Sequence, residues 1–360
     1  MNIFVFGNRS NVTAALGQLA EDSRDSLRHT LRFCIIDLDE AAPANVPTLT
    51  ADCLSYLETA DAILVWGTWG SSHLKRQWNV GGPYYRNGLK DRLNQFAERL
   101  ARSYKIPLLV AETATLSRLR TNYIDVPSFK SITPYYYRLG VGHWTYDRTL
   151  WCNPTLTDYS RLDQFRDRLN QKYDLDWDYR SHVWQNTRRP RRKIWLLPGL
   201  EQDPTSTMPI MKWIKESITT IKRVSSRQIV IKPHPLSVLD FKAVADKFSK
   251  VSVANIDLPI KDCYSEMYCA VIDNSTSIFE LFDAGIPTFT NKYNFGSPLG
   301  NTDLSKINDI YYPSTEQTVK WLHQMSYTEF SIDEWRSTDM FQYIHHLIER
   351  GNYDISTSTR

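Results

Sequence analysis

Short apolar runs alternate with helical stretches along this chain, and the alternation starts afresh about half-way. In the first half the runs are MNIFVFG (1–7), CIIDLD (34–39), AILVWG (62–67) and IPLLVAE (106–112), with the amphipathic stretch LKDRLNQFAERLARSY (89–104) between the last two. In the second half they are KIWLLPG (193–199), RQIVIKPHP (227–235), VSVAN (251–255), CAVIDNS (269–275) and IPTFTN (286–291), with a helix near Met211 to Val224. Near-continuous apolar runs fit strands buried on both faces, and strands separated by helices pair in parallel through crossovers. The expected fold is therefore α/β, with two doubly wound, Rossmann-like domains facing a cleft. The expected bounds are 1–185 and 186–330, with 331–360 as a helix and tail packing back on the first domain. DLDWDYRSHVWQNTRRPRRK (174–193), which has mixed charge and no apolar period, reads as the linker or as a last helix plus linker.

At 360 residues and 42% apolar content the chain suits two domains of ordinary size better than one core. No apolar run approaches the ~20 residues of a membrane-spanning helix, so no span is expected. The opening MNIFVFGNRS has neither a basic start nor a small-residue cleavage site, and a cytoplasmic location is the expectation. Cys34, Cys53, Cys152, Cys263 and Cys269 form an odd set without a CxxC pair, which argues against a disulfide framework and a zinc site. Nothing in the sequence specifies an oligomeric state. The formal net charge of +3 conceals an asymmetry. Residues 1–193 hold 21 Arg and 6 Lys against 20 Asp and Glu, a surplus of +7, whereas the remainder holds 16 basic against 20 acidic groups, a deficit of −4. A positive half rich in Arg, Trp and Tyr matches a polyanion with stackable bases, although arginines on a solvated face produce the same surplus.

Open α/β sheets bind ligands at the carboxyl ends of their strands. Two loops of the second half stand out there. In IVIKPHP (229–235) His234 lies between Pro233 and Pro235, which fix two φ angles and bias Lys232 and His234 away from helix. An imidazole held this way loses little entropy on binding, and with the Lys232 charge nearby it can grip a phosphate. A strand-end proline turn with an exposed histidine is the plainer reading of the same letters. In VIDNSTSIFELFDAGIP (271–287) a strand ends at Asp273, and Asn274 to Ser277 offer capping groups at a helix start, a spot suited to an anion. Glu280 follows one helical turn past Thr276 or Ser277, within reach of a ribose, and Gly285 and Pro287 end the helix. An ordinary capped helix start fits these residues as well. Two anion-suited loops in one domain favour the functional reading.

The Lys-x-His-Pro loop, the Ser-rich helix start with its Glu and the Gly-x-Pro that follows resemble the donor-binding half of GT-B-fold glycosyltransferases. Capsule-polysaccharide transferases and the bacteriophage enzymes that glycosylate hydroxymethylated DNA bases are the nearest in kind. The resemblance covers residues 193–290. It implies a GT-B chain in which Lys232, His234, Ser275, Thr276, Ser277 and Glu280 hold the diphosphate and ribose of a nucleotide-diphosphate sugar, a UDP-sugar first of all. Asp203, in PGLEQDPTS (198–206), falls where such enzymes close over the donor, and turn chemistry explains its Asp-Pro equally well. The catalytic base is expected in the first domain, at Glu112, since relatives carry a glutamate after the corresponding strand. Asp147, in RLGVGHWTYDRT (138–149) with His143, is the alternative. Arg9 in GNRSN (7–11), with Arg118 and Arg120, is placed on the acceptor side. No metal is strictly required: Asp37-Leu-Asp39 imitates a DxD but closes a strand, and helix amino termini with basic residues can replace the cation.

For the acceptor, WGTWGSSHLKRQWNVGGPYYRNGLK (66–90) gathers three Trp, two Tyr and four Lys or Arg, among them Trp69, Lys75 and Arg76, in one stretch after a strand. Aromatic stacking with phosphate contacts suits nucleic acid, so the expected partner is double-stranded DNA whose hydroxymethylated pyrimidine is flipped out for glycosylation. A capsule or cell-surface glycosyl or glycerophosphate transferase is the runner-up, and a non-catalytic nucleic-acid-binding protein the third reading. The DNA reading predicts affinity that falls steeply with salt, and a slope reduced by up to about two phosphate contacts on neutralising Lys75 and Arg76 together. A flat salt dependence in a fluorescence titration would remove polyanions from consideration.

Overall fold

The structure is a computed structural model that describes residues 2–7, 31–35, 49–66, 89–113, 136–141, 159–173, 176, 178, 193–199, 208–235, 237–273, 275–291, 294–331, 334 and 345. The chain divides into two compact units, Met1–Leu162 with His323–Arg360, and Asp163–Leu322. In the first unit β1 (Ile3–Gly7), β2 (Leu31–Ile35), β3 (Ala62–Trp66), β4 (Leu108–Thr113) and β5 (Tyr136–Val141) form a sheet, while β6 (Lys193–Leu197), β7 (Gln228–Ile231), β8 (Val251–Val253), β9 (Met267–Ile272) and β10 (Thr288–Thr290) form that of the second, and β11 (Glu329–Ser331) returns to the first. This is the expected α/β architecture, with two Rossmann-like halves.

The first sheet has the order β11-β5-β4-β3-β1-β2. From β2 to β4 the pairing is parallel, and β5 and β11 add on antiparallel. Ile3, Phe4 and Val5 in succession are almost wholly buried, as are Ala62, Ile63 and Leu64, so both faces of these strands are covered. Helix α1 (Ala51–Glu58) starts at Thr50, whose hydroxyl accepts from the Cys53 N–H. Helix α2 (Leu89–Tyr104) places the small residues Ala97 and Ala101 against Phe4, Ile63 and Leu108.

Two details depart from the sequence reading. The second strand covers Leu31–Ile35, three residues ahead of CIIDLD, because it pairs with the full length of β1 from Ile3↔Leu31 to Gly7↔Ile35. The antiparallel pair β5 and β11 was not expected. β11 is three residues long, too short for any period to show, and its partner lies far back in the chain. Arg161, near the start of helix α3 (Ser160–Tyr173), anchors β11: its guanidinium donates to the carbonyls of Ser326 and Glu329, pairs with Glu334, and lies over the rings of Tyr327 and Phe330.

In the second unit the order is β10-β9-β6-β7-β8, all parallel. Counted along the unit this is 3-2-1-4-5 reversed end for end, the Rossmann order, which turns back between β6 and β9. Helix α4 (Ile210–Val224) presents Ile210, Ile214, Ile218 and Ile221 at helical spacing, with Trp213, to Ile194, Leu196, Ile229 and Ile231. Each fully buried isoleucine contributes about 1.5–3 kcal/mol relative to exposure. A one-turn helix α5 (Lys242–Ala245) packs on β8. Helix α6 (Ile278–Asp283) and helix α7 (Thr315–Ser326) meet through aromatic rings: Trp321 stacks on Phe279 and stands edge-on to Phe282, both at 5.4 Å, and its indole N–H donates to the Phe295 carbonyl. A Cβ on Gly296 would come within 1.8 Å of Ile278 Cδ1, so any larger residue there requires the buried Ile278 side chain to shift. Gly285, at φ 65°, ends α6 in the left-handed region. Among the described residues no helix is long and apolar enough to cross a membrane.

At the end of α6, burial and then the charge of Asp176 push the Asp283 carboxyl up to about 6. A carboxyl raised in the fold favours folding while protonated, and that contribution is lost as pH climbs from the ordinary aspartate range through 6. Asp283→Asn is therefore expected to raise the Tm at pH 7.5 and leave it unchanged near pH 3.5. Equal Tm values at pH 7.5 by scanning calorimetry would show that the folded chain solvates this carboxylate as well as the unfolded chain does.

Candidate functional site

The strand order reverses between β6 and β9, the place where open α/β sheets bind ligands, and three chain segments leave the sheet at that level. Leu197 of β6 stands in register with Ile272 of β9, and Leu196 with Ile231 of β7. Pro198 and Gly199 continue from β6, Asp273 from β9, and Lys232-Pro233-His234 from β7, anchored by the Lys232 N–H on the Leu196 carbonyl at 2.9 Å. The loop with Lys232 and His234 and the Ser275–Ser277 segment with Glu280 thus follow β7 and β9, the two strands that flank β6. The sequence had placed these residues on two separate loops.

His234 is half-buried, and its carbonyl accepts from the Ser237 N–H at 2.8 Å, which closes a turn around Pro235. Lys232 behaves differently from a free phosphate clamp. It is only 7% exposed, and its ammonium donates to the carbonyls of Pro233 at 3.1 Å and Ile256 at 2.8 Å. Burial pulls its pKa below the ordinary lysine value, with Cys263 and Asp257 acting the other way. Two of its three donors serve these carbonyls, so the ammonium clasps the β7 loop to the turn after β8 and has one donor over for an anion.

Beyond β9, Asp273 is fully buried. Its carbonyl and carboxylate accept from the Asn291 side chain, and the Asn294 amide reaches the same carbonyl. Asn294 also accepts from the Gly296 N–H at 2.8 Å, joining the turn after β10 to this bundle. Next to it the Ser275 hydroxyl accepts from the Ser277 N–H at 3.2 Å and donates to Ser277 Oγ at 3.0 Å, a compact serine turn that opens α6. Thr276 is exposed at its tip. Because α6 has six residues, little macrodipole is available, and anion binding here depends on hydroxyls and N–H groups. Glu280 is half-buried and accepts from the Tyr264 hydroxyl at 3.2 Å. Burial, and next the Glu280 charge, drive the Tyr264 phenol far above its ordinary pKa, so it stays a donor. Tyr264, Asn291 and Asn294 escaped the sequence reading. The paired asparagines just after TFT were the one available signal.

In the first unit the strand order turns back between β1 and β3, which end at Gly7 and Trp66. The segments carrying Arg9, and Trp69, Lys75 and Arg76, follow those ends. Glu112 lies near the end of β4, one residue beyond the Trp66↔Ala111 pair, and its register partner is Arg138 on β5. The Glu112 side chain lies outside the described residues, as do Arg9, Asp37, Asp39, Trp69, Lys75, Arg76, Arg118, Arg120, His143, Asp147 and Asp203. Among the described residues no group of three His, Cys, Asp or Glu is placed to hold a metal ion.

No family model matches the chain, and no curated protein does. Solved structures do. The chain is similar to the KpsC beta Kdo 2,4 transferase of Thermosulfurimonas dismutans, with 15% identity over 97% of this chain and 98% of that one and a TM-score of 0.52. The KpsC beta Kdo 2,7 transferase of the same organism aligns over 96% and 99% at 14% identity and a TM-score of 0.47. Acinetobacter baumannii MurG aligns over 93% and 98% at 10% identity and a TM-score of 0.32. The first likeness, end to end over both chains, shows the fold to be of the GT-B type.

His234→Ala is expected to weaken nucleotide-sugar binding about 10- to 100-fold by losing a charge-assisted hydrogen bond, with little change in Tm because the ring is half-exposed. Lys232→Met, which strips the buried Pro233 carbonyl and the part-buried Ile256 carbonyl of their donor, is expected to cost about 1–3 kcal/mol of stability as well. Calorimetric binding beside a denaturant titration separates the two. A Lys232→Met protein of unchanged stability would return the ammonium to a pure ligand role.

Proposed function

We propose that this chain is a GT-B glycosyltransferase that moves a sugar from a nucleotide-diphosphate sugar to a hydroxyl of a cell-surface or capsular glycan. The observation that carries this reading is that the Lys-x-His-Pro loop and the serine turn with Glu280 follow β7 and β9, the strands that flank β6 in the Rossmann order of the second unit. The end-to-end fold likeness to KpsC, a beta Kdo 2,4 transferase, supports the glycan reading. His234 and the remaining Lys232 donor would take the diphosphate, the Thr276 and Ser277 hydroxyls its oxygens, and Glu280 the ribose. These donors stabilise the charge that builds on the leaving diphosphate as its bond to the anomeric carbon breaks. In the same step the acceptor oxygen bonds to that carbon and yields its proton to a base, for which Glu112 is the first candidate and Asp147 the second.

A second reading, transfer to hydroxymethylated pyrimidines of double-stranded DNA, is favoured by the +7 surplus of residues 1–193 and the aromatic, basic stretch 66–90. One experiment decides between them. The protein is incubated with a panel of sugar nucleotides and, in parallel, with oligosaccharide acceptors, hydroxymethylated DNA and unmodified DNA, and products are read by mass spectrometry. Sugar on the oligosaccharide alone supports the first reading, sugar on the modified nucleoside the second, and no transfer in any arm overturns both.

Glu112→Gln keeps size and most hydrogen bonding but cannot take a proton, so turnover is expected to fall at least ~100-fold with donor affinity nearly constant. Asp147→Asn is expected to do less. The reverse order of effects in steady-state assays would move the base to the segment 138–148.

A further inference from the structure

Glu280 stands on the first turn of a short helix, where an unrestrained glutamate would sample several rotamers and lose that freedom on binding a ligand. It is not left to do so. Its carboxylate is bonded to Tyr264, which sits on a 3₁₀ segment, Ile260–Glu266, that leads into β9. The stretch from Ile256 to Tyr264 therefore supports both ends of the site: the Ile256 carbonyl takes the Lys232 ammonium, and the Tyr264 hydroxyl holds Glu280. Cys263, the neighbour of Tyr264, is buried at 3% exposure and anchors the segment with its thiol near the Pro259 carbonyl.

We infer that Tyr264 is a positioning residue for Glu280: its hydroxyl, 3.2 Å from Glu280 Oε2, holds the carboxylate in the orientation that accepts from the hydroxyls of a ribose, and so sets the preference for ribonucleotides over their dideoxyribose analogues. The inference rests on the donor reading of this site. A carboxylate has about four acceptor positions, so the bond to the phenol does not by itself fill it. The phenol donates at every working pH, because burial and the facing carboxylate both oppose its ionisation.

The test measures binding of UDP, CMP, ADP and GDP to the full chain by calorimetry, then compares the tightest of them with its dideoxyribose analogue. Tyr264→Phe keeps the ring and removes only the hydroxyl. It is expected to lower ribonucleotide affinity about 5- to 20-fold and to leave the analogue nearly unchanged, so the preference shrinks by the same factor. In a Glu280→Gln background the same substitution is expected to add little, since the group it orients has changed; this cycle removes any general loss of stability from the comparison. A wild-type chain that binds none of the four nucleotides overturns the donor reading and this inference with it. A wild-type chain that prefers ribose while Tyr264→Phe keeps that preference in full overturns the role of Tyr264 alone, and a wild-type chain indifferent to the ribose hydroxyls overturns it too.

Discussion

Everything at the candidate site depends on β6 pairing between β7 and β9. A parallel sheet buried on both faces needs helical crossovers, and a chain that starts in the middle must send its successive crossovers to opposite sides. The strand order reverses where the two directions part, the place where open α/β sheets bind ligands. The register Leu196↔Ile231 and Leu197↔Ile272 then brings the ends of three strands to one level. A slip of one residue in either ladder would turn the strand-end side chains to the other face and separate the loops.

Given that frame, the loops are held by buried polar groups. A lysine ammonium at 7% exposure is tolerable only with hydrogen-bond partners, and Lys232 has two carbonyls. The Asp273 carboxylate, fully buried, is met by Asn291, and Asn294 links the same point to the turn after β10. Such contacts cost desolvation but lock the loops before any ligand arrives, which reduces the ordering cost of binding. With α6 only six residues long, this rigidity matters more than a helix dipole, and α6 itself is fixed from behind by Trp321 against Phe279 and Phe282.

The first unit follows the same rule with a different strand order and an added antiparallel pair. That pair puts Arg138 in register with Glu112 on one side and with Glu329 on the other. Glu329 is buried, and its carbonyl accepts from Arg161. Arg161 in turn ties a segment from the end of the chain to a helix that begins at residue 160.

By itself the sequence determined the fold class, two Rossmann-like halves, because apolar runs buried on both faces and the helices between them are local patterns with fixed periods. It also marked Lys232, His234, Ser275–Ser277 and Glu280, because proline, serine and glycine constrain their own backbone. The tertiary structure decided what depends on pairing between distant segments. The start of β2 follows from the length of β1, and β11 is a strand only because β5 lies beside it. That Lys232 spends two donors on carbonyls follows from the Ile256 turn, 24 residues on, and that Glu280 has a phenol behind it follows from Tyr264, 16 residues back. A side chain's hydrogen-bond partner is a matter of a few ångströms in space, and no spacing along the chain encodes that distance until the sheet has brought the loops together.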